Sequence, residues 1–300
     1  MIQIRIGSRK SRLSLIQTNM VIELIDKHFP DVECISVPII TTGDKITDKN
    51  LYDIGGKALF LKELEEQLLD KKIDIAVHSL KDMPGILSDG LSIAAVLKRI
   101  DPRDCLISLK YESIDKIPQG GIIGTSSMRR KVILQQKRPD LRIVQFRGNI
   151  DTRLDKLQSE EVDATILACA GLIRAGLFDP IYCYTLEVEE MLPAAGQGII
   201  AIQARDDDQD MQDICNKINH LTTWHLVQAE RGFLSYLDAS CRTPLSAHAV
   251  FTGNKIKASY MLSDIEGKKI QYHQELGDIE NAADMGVKAA IKLINRFGRV

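Results

Sequence analysis

The chain has 300 residues, 44% of them hydrophobic and 27% charged, with 39 Lys and Arg against 41 Asp and Glu. Those proportions fit an ordinary globular protein of two or three domains. They exclude a whole-chain basic field for nucleic acid, and no apolar run reaches the roughly 18 residues of a membrane span.

The first residues, Met1-Ile-Gln-Ile-Arg-Ile-Gly7, lack the charged start, apolar stretch and small-residue cleavage site of a signal peptide, so a cytoplasmic protein is expected. Ile2 to Ile6 alternates apolar and polar and predicts a strand. Ser11 to His28 has helical spacing, with Ser11 as N-cap. Val32 to Ile40 reads as a second strand. Thr42 to Gly56 has no periodicity and predicts a mobile lid. Phe60 to Leu69 is helical, and Ile73 to Val77 is a short buried strand ending at His78. Strands alternating with helices imply an α/β fold with largely parallel sheets, in which ligands bind beyond the carboxyl ends of strands.

Asp101-Pro102-Arg103-Asp104 breaks the pattern. A second α/β unit follows to Leu192, with strands expected at Gly121 to Thr125, Leu141 to Phe146 and Ala164 to Ala168. A second crossing falls at Pro193 to Gly198. Two lobes joined by two crossings make a hinged cleft. The run Asp206 to Asp210 reads as a solvated turn or helix cap. From about Asn219 a third unit mixes a helix (Leu226 to Leu237), strands (Ala247 to Phe251 and Lys255 to Leu262) and a final helix (Asn281 to Arg296). The expected domains are therefore 1–98 with 196–216, 102–193, and 219–300.

Several chemistries fail on spacing. Gly55-Gly56-Lys57 lacks the first glycine and the hydroxyl of a phosphate loop. Met128 spoils a nucleophile elbow after Gly124. Six scattered His residues, and six cysteines without a C-x-x-C pair, give no reason to expect a metal. Cys34, Cys169 and Cys183 read as small buried hydrophobes.

What remains is basic. Arg9 follows the first strand. Thr125, Ser127, Arg129 and Arg130 follow another and open a helix, where hydroxyls and free N–H groups suit an anion. Arg147 ends a third strand, and Arg153 lies one turn into the next helix. Arginines add bidentate bonds to carboxylate or phosphate. Asp82, in His78-Ser-Leu-Lys81-Asp82-Met-Pro84, would stay ionised among such cations and stabilise a developing cation or shuttle a proton. A helix cap or surface salt bridge is the plainer role for it. His78 reads as structural and hydrogen-bonded. Cys241 sits between small residues and Pro244, on a tight loop beside Arg242, where a thiol is a good nucleophile.

Together these segments resemble the porphobilinogen deaminase (hydroxymethylbilane synthase) family. The resemblance rests on Arg5 to Ser11, Gly55 to Glu65, His78 to Pro84, Asp101 to Asp104, Gly124 to Arg130, Phe146 to Leu154, Pro193 to Gly198, and Cys241, in the family's order. It implies three domains, the first two forming periplasmic-binding-protein-like lobes around a hinged cleft and the third a smaller α+β unit. It implies a dipyrromethane cofactor held by a thioether to Cys241. Four porphobilinogen units are added to it with loss of ammonia, and water then releases hydroxymethylbilane. It makes Asp82 the catalytic aspartate. It gives the substrate's acetates and propionates to Arg9, Ser11, Lys57, Lys81, Thr125, Ser127, Arg129, Arg130, Arg147 and Arg153, and it suggests a monomer. The chain departs from the family's pattern at Arg12, Ser14, Ile199, Gln203, Ala239, Ser240 and Ser246. Two other readings stay open: a non-catalytic two-lobed binding protein for a polycarboxylate, and a nucleic-acid module, against which the balanced charge and 5% aromatic content count.

Overall fold

In a computed structural model that describes residues 2–45, 61–240 and 243–298, the first strand is β1 (Ile2–Arg9), whose alternation buries Ile4 and Ile6 completely. They meet Val21 and Ile25 of α1 (Arg12–His28), the expected amphipathic contact. The helix begins where expected, because Ser11 Oγ accepts from the Ser14 amide at 3.3 Å, a side-chain N-cap. Next come β2 (Val32–Ile39), parallel to β1, a short helix α2 (Thr42–Lys45), α3 (Lys62–Leu69), β3 (Ile75–Ser79) and β4 (Leu91–Val96). Residues 42–45 of the expected lid are thus helical. The rest of it, with Lys57, lies outside the described residues.

The chain then crosses to β5 (Asp104–Ile107), β6 (Ile122–Gly124), α4 (Met128–Lys137), β7 (Arg142–Val144), α5 (Ile150–Gln158), β8 (Ala164–Ala168), α6 (Cys169–Ala175) and β9 (Cys183–Thr185). It returns through residues 193–199 into β10 (Ile200–Arg205) and α7 (Gln209–Ile218). Asp208, in the acidic run, caps α7 by accepting from the Met211 amide.

The sheet orders are β2-β1-β3-β10-β4 and β7-β6-β8-β5-β9. Each contains a parallel trio, but β10 is antiparallel to β3 and β4, and β5 is antiparallel to β8 and β9. The largely parallel expectation is corrected there. Both strands enter directly from a lobe crossing, without the helix a parallel neighbour requires; β5 opens the second lobe, and β10 inserts between β3 and β4 of the first. Buried cores sit between each sheet and its helices, and each fully buried Leu or Ile contributes about 1.5–3 kcal/mol. Cys169 and Cys183 are buried as expected, whereas Cys34 is half-buried.

The third unit runs α8 (Leu221–Tyr236), β11 (Leu245–Thr252), β12 (Lys255–Ser263), β13 (Ile270–Asp278) and α9 (Ala282–Phe297). Its antiparallel sheet carries α8 and α9 over one face around Phe233, Tyr260 and Leu293. Gly232 and Gly286 permit the close helix approach. An added Cβ would stand 2.1 Å from the Ala283 oxygen or 2.4 Å from the Ala229 oxygen. This unit touches both lobes: Met261 enters the core of the second, and Val227 packs with Leu80 and Met83 of the first.

Candidate active site

The carboxyl end of β3 runs into a single 3-10 turn, Leu80–Asp82. Leu80 and Met83 are buried anchors, and the Leu80 amide donates to the Ile199 carbonyl at 3.0 Å. Packing on both sides turns Lys81 and Asp82 toward the space between the lobes. Asp82 lines one hollow with Arg9, Ser11, His78 and Ser79, so the ends of β1 and β3 bring together residues some seventy positions apart. Gln17 fixes Ser79, donating from Nε2 to Oγ at 2.9 Å.

His78 lies within β3 and is buried, as a structural residue whose ring neighbour is Gln203. Gln203 lies beside its ring, yet Nε2 completes no hydrogen bond among the described residues. Burial pushes the ring down to about 4, with Gln203 opposing the shift, so the imidazole is neutral at pH 7.

Across the cleft, β6 ends at Gly124, where a Cβ would lie 2.5 Å from the Phe146 ring. The hydroxyls that follow are partly spent on the backbone. Thr125 Oγ1 accepts from the Ser127 amide at 3.2 Å, and Ser127 Oγ caps α4 from the Arg130 amide at 3.4 Å. Ser11 Oγ similarly serves its own helix and lies 2.8 Å from Ser14 Oγ. An acceptor role in a cap leaves each O–H able to donate to a ligand oxygen.

Arg129 and Arg130 are 5% and 6% exposed and are not open clamps. Both meet Asp104, each through Nη2 at 2.7 Å. Their Nη1 atoms donate to the carbonyls of Leu192 and Ile166. Each Nε is buried without a partner among the described residues, which is costly unless something with an acceptor arrives. Burial would raise the Asp104 carboxyl, yet the two guanidiniums hold it well below the usual range. Gln197 Nε2 also donates to it, at 2.9 Å.

On α5, Asn149 is the N-cap, accepting from the Thr152 amide at 2.8 Å, and Arg153 Nε donates back to the Gly148 carbonyl at 3.0 Å. Gly148 has φ +120, which favours glycine. Arg153 is lowered to about 10 by burial and by Arg130, against the pull of Asp82, with Arg147 adding to the lowering. Lys81 is lowered to about 8, chiefly by burial, while Asp82, Arg130, Asp104 and Arg129 all act on it. Lys81, Asp82, Arg129, Arg130, Arg147 and Arg153 therefore share one electrostatic neighbourhood.

Sequence reasoning missed three residues: Asp104, Gln197 and Arg174. Arg174 donates from Nη2 to the Gly198 carbonyl at 2.8 Å, and its Nε is buried and unpartnered among the described residues. Its signal was weak, a lone basic residue on an otherwise apolar helix.

Cys241 and Arg242 lie outside the described residues, which resume at Thr243. The Gly85 amide donates to the Ala239 carbonyl at 2.9 Å. Ser240 and Thr243 close a turn: the Thr243 amide donates to the Ser240 carbonyl at 2.9 Å, and the Ser240 amide to Thr243 Oγ1 at 3.3 Å. Arg231 and Ser235 of α8 both donate to the Gly85 carbonyl, at 2.9 and 2.8 Å. Among the described residues no cluster of His, Cys, Asp and Glu suits a metal ion, and no helix is long and apolar enough to cross a membrane.

A family model described as porphobilinogen deaminase, dipyromethane cofactor binding domain, matches residues 4–213. A second, porphobilinogen deaminase, C-terminal domain, matches residues 224–295. A porphobilinogen deaminase of Rickettsia bellii (strain OSU 85-389) is 54% identical over 288 residues, 96% of each chain. One from Rickettsia akari (strain Hartford) is 53% identical over 295 residues, 98% of each. Among solved structures, the probable amino-acid ABC transporter extracellular-binding protein ytmK from Bacillus subtilis aligns with a TM-score of 0.43 at 13% identity, covering 73% of this chain and 90% of that one.

Proposed function

The chain belongs to the porphobilinogen deaminase family and is a hydroxymethylbilane synthase, and we propose that Asp82 is its catalytic carboxylate and Cys241 the anchor of its dipyrromethane cofactor. The observation that carries the assignment is the joint between their segments. Three residues after Asp82 comes Gly85, whose amide donates to the carbonyl of Ala239, two residues before Cys241. That joint holds the Asp82 segment, which shares the arginine-lined space, against the segment that leads to Cys241.

The residues fit the cofactor and substrate. Each pyrrole ring carries carboxylates, and Arg129, Arg130 and Arg174 keep buried Nε–H groups without acceptors among the described residues. Arg9, Ser11, Lys81, Thr125, Ser127, Arg147 and Arg153 complete the described part of the carboxylate set, to which Lys57 also belongs. When bound, the dipyrromethane supplies the pyrrole carbon to which the next unit joins. Asp82 faces the cation that develops as ammonia leaves porphobilinogen and holds the proton that the joining ring must lose. Electrostatic stabilisation of this kind is commonly worth about 10²–10³ in rate. Lys81 and Arg153, whose charge is costly where they are buried, gain most from an arriving carboxylate.

The same reading divides the chain into domains 1–98 with 196–216, 102–193 and 219–300, supported by the membership of the three sheets. It makes the enzyme a cytoplasmic monomer whose partner is the small molecule porphobilinogen, with no nucleic acid or membrane. The test is intact-protein mass with an Ehrlich-type aldehyde colour reaction. The purified chain should weigh more than its sequence by two linked pyrrole units and give the colour, and Cys241→Ala should do neither. Normal loading of that variant would remove Cys241 as the anchor.

A further inference from the structure

Asp104 stands where three parts of the molecule meet. It opens β5 immediately after the first crossing and is fully buried. Its Oδ1 accepts from Arg130 Nη2 at 2.7 Å and from Gln197 Nε2 at 2.9 Å. Its Oδ2 pairs with Arg129 Nη2 at 2.7 Å, an ionic contact whose angle does not make a hydrogen bond. Gln197 belongs to the second crossing, and the same Nε2 donates to the Pro102 carbonyl of the first at 2.6 Å. One carboxylate thus fixes two candidate carboxylate-binding arginines and, through one amide, joins both strands of the hinge.

We propose that Asp104 is a positioning residue for the condensation, coupling occupancy of the Arg129–Arg130 subsite to the hinge through Gln197. With Nη atoms committed to Asp104 and to backbone carbonyls, each guanidinium is fixed in plane and, having no Nε partner among the described residues, keeps that N–H for an incoming acid. Fixing those planes beforehand spares their ordering when substrate binds. A carboxylate drawn to the Nε edges competes with Asp104 for the same two cations. Any weakening of those pairs changes what Oδ1 offers Gln197. The hinge therefore senses the acidic groups in the cleft, which increase by one acetate and one propionate with each added ring. Buried networks of this kind have few alternative arrangements, so small shifts pass along them.

The inference rests on the assignment of the arginines to substrate carboxylates. Gln197→Leu removes the amide and leaves both ion pairs in place. The holoenzyme would receive limiting porphobilinogen, and species carrying one, two or three added units would be counted by intact mass. We expect kcat to fall roughly tenfold with KM within about twofold, and one loaded species to accumulate out of proportion. Loss of folded protein alone would scale the rate without altering that distribution. An unchanged distribution, at any kcat, overturns the coupling. Asp104→Asn should raise KM, because both guanidiniums lose their orienting anion. A folded Asp104→Asn with the parent KM overturns the positioning role, and if it does not fold, Gln197→Leu decides alone. Arg153→Lys, which leaves the Asp104 cluster untouched, separates the two levels. Parent-like loading there rejects the carboxylate assignment itself. Stalled loading there with a parent-like Gln197→Leu rejects only the coupling.

Discussion

The Gly85 amide donates to the Ala239 carbonyl at 2.9 Å, so the turn that carries Asp82 and the loop that carries Cys241 share a hydrogen bond across a domain boundary. Nothing larger than glycine fits there: a Cβ on residue 85 would stand 2.4 Å from the Leu234 backbone oxygen. Gly85→Ala must separate α8 from the turn. We expect a loss of about 1–3 kcal/mol of stability and a fall in turnover larger than melting at the assay temperature explains. Gly171→Ala is the control, since its nearest neighbour is the flexible tip of Ile150 at 3.3 Å. Thermal unfolding and turnover of the two variants settle the matter, and equal behaviour would detach the joint from function.

Much of this arrangement was legible beforehand, and the boundary has physical causes. Ile4 and Ile6 against Val21 and Ile25 repeat at periods of two and 3.6, so β1 and α1 could be read directly. Strands β5 and β10 could not, because every residue of Asp104–Ile107 and Ile200–Arg205 is buried and a strand covered on both faces has no alternation to detect. Arg129 and Arg130 announced themselves by charge at a strand end. Their buried state did not, because it depends on Asp104, which sequence places 25 positions away in what reads as a break. Gln197 and Arg174 act through partners that only the tertiary fold supplies.

Glu230 ties the third domain to the hinge as firmly as Asp104 ties the arginines. It is fully buried, pairs with Arg99 Nη2 at 2.6 Å, and accepts from the amides of Gly196 and Ala249 at 2.7 and 2.8 Å. Arg99 and Gly196 belong to the two crossings. Glu230→Gln leaves the Arg99 guanidinium buried without its counter-charge, and breaking such a pair costs about 3–5 kcal/mol. Denaturant unfolding should show that loss. A change under about 1 kcal/mol would place the pair with ordinary surface bridges.

Lys81 gives the site a pH signature. Burial lowers it from 10.5 to about 8, so the folded chain releases this proton earlier than the unfolded chain. Between those values the unfolded state holds more protons, and this group's contribution to stability rises with pH. Substrate affinity runs the other way, because the carboxylates of porphobilinogen are ionised throughout and the neutral amine attracts them less. KM should increase several-fold from pH 7 to pH 9 as Lys81 loses its charge. Lys81→Arg keeps the charge to much higher pH and should flatten that rise. A KM profile identical in parent and variant would assign the titration elsewhere.

Asp82 is the sharpest test, because its charge and its structural role can be separated. The turn around it is held by Leu80, Met83 and the Gly85 amide, none of which uses its carboxylate. Asp82→Ala should therefore fold with the parent melting temperature to within a few degrees, about what a surface-like change of ±0.5 kcal/mol produces. Turnover of porphobilinogen should nevertheless fall by two or more powers of ten, on the order seen when a preorganised electrostatic stabiliser is removed. Asp82→Asn keeps the size and one acceptor oxygen but neither the charge nor the ability to take a proton. If shape mattered, Asn would restore activity. If the charge matters, Asn should be nearly as slow as Ala while KM, set by the arginines, moves little. Near-parent activity in either variant would leave the developing cation without its assigned counter-charge and shift the catalytic role away from this turn.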